Sequence, residues 1–161
     1  MKFNESYSYG DADVESVFGL IASREFRTEA AADAGATDVD VSVDETPETT
    51  TVTIVRTQPA EMPDFVKKLT GESVKVKQTE SWSAPAADGS RTADVKVSIV
   101  GQPAEMLGTA TLKPAGGGTR FDVVGDVKVS IPLLGRKIEP EVAKAVRASL
   151  AGEVELGKTK L

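Results

Sequence analysis

"DVKVSIPLLGRKIEPEVAKAVRASL", residues 126–150, changes its period midway. Up to Val129 apolar and polar residues alternate, as in a strand with one buried face. Beyond Gly135, Ile138, Val142, Val146 and Leu150 recur every fourth position, and Val154 continues the stripe of an amphipathic helix. A helix over about 137–157 is about 30 Å long, enough to cross a whole sheet. Between the two patterns lies Ile131-Pro132-Leu133-Leu134, which is apolar although connections normally run through water and are polar. A strand therefore feeds a long helix through a greasy loop.

Upstream, "KFNESYSY" puts Phe3, Tyr7 and Tyr9 on one strand face. "DADVESVFGLI" then spaces Val14, Val17, Phe18 and Ile21 as one helical face behind the candidate N-caps Asp11 and Asp13. Ser23 opens a second short helix that Gly35 stops. Period two returns in strands near 37–44, 50–57, 72–83, 91–100, 105–113 and 119–131. No repeat or linker interrupts this order. The expectation is one domain over 1–161, of α+β class.

Sequential strands pair as hairpins by default. Setting 82 opposite 93, 99 opposite 106 and 112 opposite 121 brings the apolar set of every strand to one face, and a one-residue slip would send half of it outward. On that face Gly108 falls opposite Gly125, which is either a bend in a curved sheet or a hollow. Arg56, Gln78 and Glu80 also point inward. They either reach water at the margin of the sheet or fix a ligand inside an apolar pocket.

Alternate loops of a meander go to opposite edges. One edge receives the polar turns 44–49, 84–90 and 114–119. The other receives 58–71, 101–104 and 131–136, which carry Met62, Phe65, Val66, Leu69, Leu133 and Leu134 beside Lys67, Lys68, Arg136 and Lys137. The apolar side chains there either plug the core, gate a cavity mouth, or form a patch for a membrane or partner.

The chain has no cysteine and no histidine. That excludes disulfides, thiolate nucleophiles, Ser-His-Asp chemistry and imidazole-based metal sites, and no metal or cofactor is expected. A net charge of −6 with scattered Lys and Arg argues against nucleic acid. The opening residues carry no apolar signal core and no run of 18 apolar residues exists, so the expected location is cytoplasmic and no integral membrane segment is expected.

The segments "VESVFGLIASREFR", "RTQPAEMPDFVKKLTGE", "VKQTESW" and "GGGTRFDVVGDVKVSIPLLGRKIE", with the helix after them, resemble the START-like superfamily (SRPBCC, birch-pollen-allergen-like) that includes polyketide cyclases and lipid-transport proteins. Within it the likeness is closest to an uncharacterised actinobacterial domain-of-unknown-function family (2505), over essentially the whole chain. The resemblance implies a helix-grip fold: a seven-stranded antiparallel sheet wrapped around the long C-terminal helix, two short helices after strand one, and a hydrophobic cavity whose entrance the greasy loops surround. It transfers no catalytic set, since superfamily enzymes often use a cavity His that this chain lacks.

The expected cavity residues are Tyr7, Arg56, Gln78, Glu80, Val97, Gly108, Gly125, Val142 and Val146, with Met62, Phe65, Leu69, Leu133 and Leu134 at the mouth. The leading expectation is binding or carriage of a hydrophobic small molecule such as a lipid, isoprenoid or polyketide, without catalysis. An alternative is a module that makes transient contact with a membrane surface or protein partner through the apolar loop edge. A second alternative is a cyclase or dehydratase with Glu80 as general base and Arg56 or Tyr7 steering charge.

Overall fold

The structure is a computed structural model that describes residues 1–161. The elements run β1 (Lys2–Ser8), α1 (Val14–Ile21), α2 (Arg24–Asp33), β2 (Thr37–Glu45), β3 (Thr49–Pro59), α3 (Asp64–Thr70), β4 (Ser73–Ser83), β5 (Arg91–Ile99), β6 (Ala104–Ala115), β7 (Gly118–Val129) and α4 (Gly135–Lys158). Both short helices start where their caps dictate. The Asp13 carboxylate accepts from the Ser16 N–H at 2.8 Å, and Ser23 Oγ accepts from the Phe26 N–H at 3.1 Å. The seven strands form one antiparallel sheet in the order β1-β7-β6-β5-β4-β3-β2.

Trp82 pairs with Ala93, Leu112 with Phe121 and Gly108 with Gly125, as the face argument requires. The β5–β6 hairpin departs from expectation, because Met106 faces Val97 and not residue 99. A short turn over 100–103, with Gly101 at φ 78°, closes the hairpin sooner. The offset is two residues, so every side chain keeps its face. One row across the sheet now reads Phe3, Gly125, Gly108, Val95, Glu80, Val52.

The helices cover this face unevenly. α4 packs on β7 and β1 and touches α2; α2 lies on β2; α1 reaches β6 and β7. Ile138, Ala143 and Val154 anchor α4 and are 3% exposed or less, whereas Val142, Val146 and Leu150 are only half-buried. The middle of the helix stands off the sheet, over β3 to β5. A hollow follows.

The greasy loop has two faces. Ile131 and Leu134 pack on the core, while Leu133, held at φ 67°, is 97% exposed. In α3, Val66 is buried at 3%, but Phe65 and Leu69 remain 40% and 42% exposed. This edge both plugs the core and presents apolar side chains outward.

Candidate functional site

Glu80 sits at the centre of the face, 5% exposed, at the inward position of β4. Burial alone would push its carboxyl pKa up. The Arg27 guanidinium, with hydrogen bonds from Arg27, Trp82 and Gln78, outweighs burial and holds it below the usual range. Oε1 accepts from Arg27 Nη1 at 3.0 Å and Trp82 Nε1 at 2.9 Å; Oε2 accepts from Arg27 Nη2 at 2.6 Å and Gln78 Nε2 at 2.5 Å. Four donors occupy the roughly four acceptor sites of a carboxylate. In this arrangement the four donors leave no lone pair free to take a proton from a substrate, which weighs against Glu80 as a general base.

Arg27 reaches Glu80 from α2, where it shares one face with Ala30, Ala31 and Ala34. Burial opposes its charge, but Glu153 and Glu80 prevail and raise its pKa. Its Nε is buried without a hydrogen-bond partner, 3.4 Å from Glu153 Oε1. Glu153 comes from α4, three residues beyond Leu150 on the inner stripe, with about a quarter of its side chain exposed (24%). Burial pushes the Glu153 carboxyl above the usual range, and Glu80 adds to that, against the lowering pull of Arg27 and Arg56.

Arg56 is the third buried charge, at 8% exposure on β3. Its Nε donates to Gln58 Oε1 at 3.0 Å and its Nη2 to Gln78 Oε1 at 3.2 Å, and it makes no ion pair. Burial first, and the Arg27 charge second, push its pKa below the ordinary value. Its buried positive charge has amide oxygens for company and no carboxylate in contact.

These groups form the polar end of a cavity enclosed by α2, α4 and strands β3 to β7. Its space for the centres of water-sized molecules is about 80 Å³, where one water needs roughly 10–15 Å³. Fourteen of its 21 lining residues are hydrophobic, so the remainder of the wall suits an apolar guest. The lining reaches the surface at exposed Ala34 and half-exposed Ala31, Gln58 and Ser149.

Arg56, Gln78, Glu80, Val97 and Val146 line this cavity. Tyr7 does not; it lies half-exposed on β1, its ring centroid 6.2 Å from that of Phe121. Val142 packs on the core one turn before Val146, outside the lining. Gly108 and Gly125 do not open a hollow either, and the reason is close packing. A Cβ on Gly125 would meet the Phe3 ring at 2.7 Å, and one on Gly108 would meet the Val124 carbonyl oxygen at 2.4 Å. Met62, Phe65, Leu69, Leu133 and Leu134 are likewise absent from the lining: Met62 and Leu134 pack on the core, and the other three face outward. The reading of Arg56 and Glu80 as marginal, water-reaching groups also gives way, since both are buried.

Arg27, Gln58, Ser149 and Glu153 were not among the expected site residues. Helical period carries a signal for two of them. Arg27 precedes Ala30, Ala31 and Ala34 by three, four and seven positions, and Glu153 follows Val146, Ser149 and Leu150 by seven, four and three.

Solved structures of the same fold include the STAR-related lipid transfer protein of Xanthomonas axonopodis (TM-score 0.64, 14% identity, 98% of this chain and 85% of that one). Ara h 8.0201 is similar at TM-score 0.62 with 14% identity, over 99% and 96% of the two chains. The Zhui aromatase/cyclase of a Streptomyces strain is similar at TM-score 0.61 with 10% identity, over 99% and 92%. At these identities the likeness is one of fold. In sequence, uncharacterized proteins of Mycobacterium tuberculosis (Rv0481c) and Mycobacterium bovis (Mb0491c) are each 34% identical over 102 residues, 62% of this chain. That aligned stretch spans 57% of the relatives' own length. Seven antiparallel strands, a long C-terminal helix and a match over residues 6–161 together establish that the chain belongs to the family described as "Protein of unknown function (DUF2505)", within the START-like helix-grip fold.

Proposed function

We propose that the protein binds and carries a hydrophobic small molecule, of lipid, isoprenoid or polyketide-like class, in the cavity between the sheet and the helices α2 and α4, as a single START-like domain in the cytoplasm. The observation that carries this is a mainly apolar hollow under a long helix, closed at one end by a buried polar cluster. Such a site provides binding energy from apolar burial, about 25 cal/mol per Å² removed from water, with orientation from a few polar groups. Carriage suits the chemistry better than turnover, because the central carboxylate is saturated by its own donors. Trp82 lines the cavity and is the chain's single tryptophan, so it reports on occupancy. Titration with a medium-chain alcohol should change its fluorescence saturably; a flat response throughout the soluble range would count against the proposal.

A second reading rests on the edge formed by α3, the β5–β6 turn and the loop before α4. Phe65, Leu69 and Leu133 stand exposed beside Lys67, Lys68, Arg136 and Lys137, and Val100, 51% exposed, joins them from the β5–β6 turn. Exposed apolar side chains with Lys68, Arg136 and Lys137 beside them suit transient contact with an anionic membrane surface, while Lys67 is paired with Glu72 at 3.7 Å. No helix of the chain is long and apolar enough to cross a membrane. Cosedimentation with vesicles containing phosphatidylserine, lost in Leu133→Glu, would support this contact; equal sedimentation of both would argue against it.

A further inference from the structure

We propose that the cavity selects an apolar carboxylic acid, its carboxylate docked on Arg56 and its chain lying along Val97, Met106 and Leu150. This deepens the cavity-binding reading above and rests on it. The argument is a balance of donors and charges. A guanidinium offers five N–H donors. Arg56 commits one to Gln58 and one to Gln78, which leaves three uncommitted beside the cavity. Arg27 Nε is a further donor with no acceptor. On the acceptor side Glu80 is saturated, so only Glu153 and the Ser149 hydroxyl remain among the polar lining groups of α4. With Glu153 protonated the surplus is of donors, and Arg27 and Arg56 together carry one positive charge more than Glu80 balances, Arg56 having no ion-pair partner.

Burying an unpaired charge is costly, and a pair completed by a ligand offsets that cost at the moment of binding. A neutral alcohol gives one acceptor atom and no charge. A carboxylate gives two oxygens in the plane a guanidinium matches, with a negative charge for Arg56, which has no ion-pair partner. A phosphate group would bring more charge than one free cation balances, into an enclosed space of about 80 Å³.

Glu153 then becomes a regulator. The groups that act on it are Arg27 from α2, Arg56 from β3, Glu80 from β4 and the buried Tyr9 hydroxyl after β1. An ionised Glu153, 3.4 Å from Arg27 Nε, would repel a carboxylate bound on the neighbouring Arg56 and share its field. Binding therefore favours protonated Glu153, and the ligand is held less tightly as pH rises. The upward push of burial on the Glu153 carboxyl moves that transition above the usual carboxyl range.

The test is calorimetric titration of the full chain with octanoate and with 1-octanol, which differ in the head group alone. Octanoate should bind about tenfold tighter than octanol, a gap of about 1.4 kcal/mol. Arg56→Gln should erase the preference while keeping octanol binding. Glu153→Gln should tighten octanoate binding and flatten its decline with rising pH. Equal wild-type affinities for the two ligands would overturn the carboxylate proposal and leave the cavity-binding reading standing. Binding of neither ligand would overturn both. Should Arg56→Gln not fold, Glu153→Gln decides: weaker octanoate binding in that variant contradicts the proposal.

Discussion

The row Phe3, Gly125, Gly108, Val95, Glu80 crosses one face of one sheet, and its two ends meet the interior in opposite ways. At the β1–β7–β6 end side chains are removed. Two facing glycines let the Phe3 ring and the Met106 sulfur lie directly on the backbone, and α4 closes over them. At the β4 end a charged side chain is inserted, and the space above it is shared by Arg27, Gln78, Trp82 and the cavity. The dry end gains its stability from contact, which is lost with any misfit. The wet end stands on hydrogen bonds around Glu80, because breaking its pair with Arg27 would leave a buried charge uncompensated. Of this row, Val95 and Glu80 line the cavity, and Phe3, Gly125 and Gly108 do not.

Breaking the wet end should cost most. Arg27→Met strands Glu80 without its counter-ion and should lower unfolding free energy by about 3–5 kcal/mol in denaturant titration. Arg27→Met combined with Glu80→Met removes both charges and should recover much of that loss. A double variant as unstable as the single one would mean that Arg27 matters for packing and not for charge.

At the dry end Gly108→Ala should cost about 1–3 kcal/mol and Gly125→Ala less, because a backbone carbonyl cannot yield as a phenyl ring can. Neither should alter octanol binding. Loss of binding in a stably folded Gly125→Ala would place the hollow at this end after all.

A third comparison sets two carboxyls of the wet end against each other. Glu80 has a depressed pKa, so its contribution is present above the unfolded carboxyl range and is lost as pH falls through the folded value. Glu153 has a raised pKa, so the native state holds its proton longer than the unfolded chain, and stability falls as pH rises from the unfolded towards the folded value. Glu153→Gln should therefore stabilise the protein at neutral pH and leave the acid limb unchanged, as read by melting temperature across pH. Destabilisation at neutral pH would show that Glu153 is needed as an anion. The smallest effect belongs to the exposed edge: Leu133→Glu should shift stability by no more than about 0.5 kcal/mol, and a larger loss would mean that this side chain is covered.

The sequence made the dry end and the frame legible, because period two and parity fix which residues face inward and survive a two-residue error in one hairpin. Asp13 and Ser23 marked their helices by local chemistry alone. What a glycine pair encloses was not legible, since Gly125 is covered by the Phe3 ring from β1, at the other end of the chain, and Gly108 by the β7 backbone and the Met106 sulfur. The partner of Glu80 was obscured for a related reason. Arg27 and Glu153 read as solvated helix residues by type, and only their place in the α2 and α4 stripes points inward. The greasy loop also carried two meanings in adjacent leucines, one packed and one exposed, which composition does not separate.

The central claim is that the wet end holds a guest, and native mass spectrometry of freshly purified protein tests it most directly, with Val146→Trp as the variant that fills the hollow. The account predicts one small-molecule adduct per chain in the wild type, extractable into organic solvent and absent from Val146→Trp. A clean, ligand-free mass in both proteins, or an adduct that persists when the hollow is filled, would contradict it.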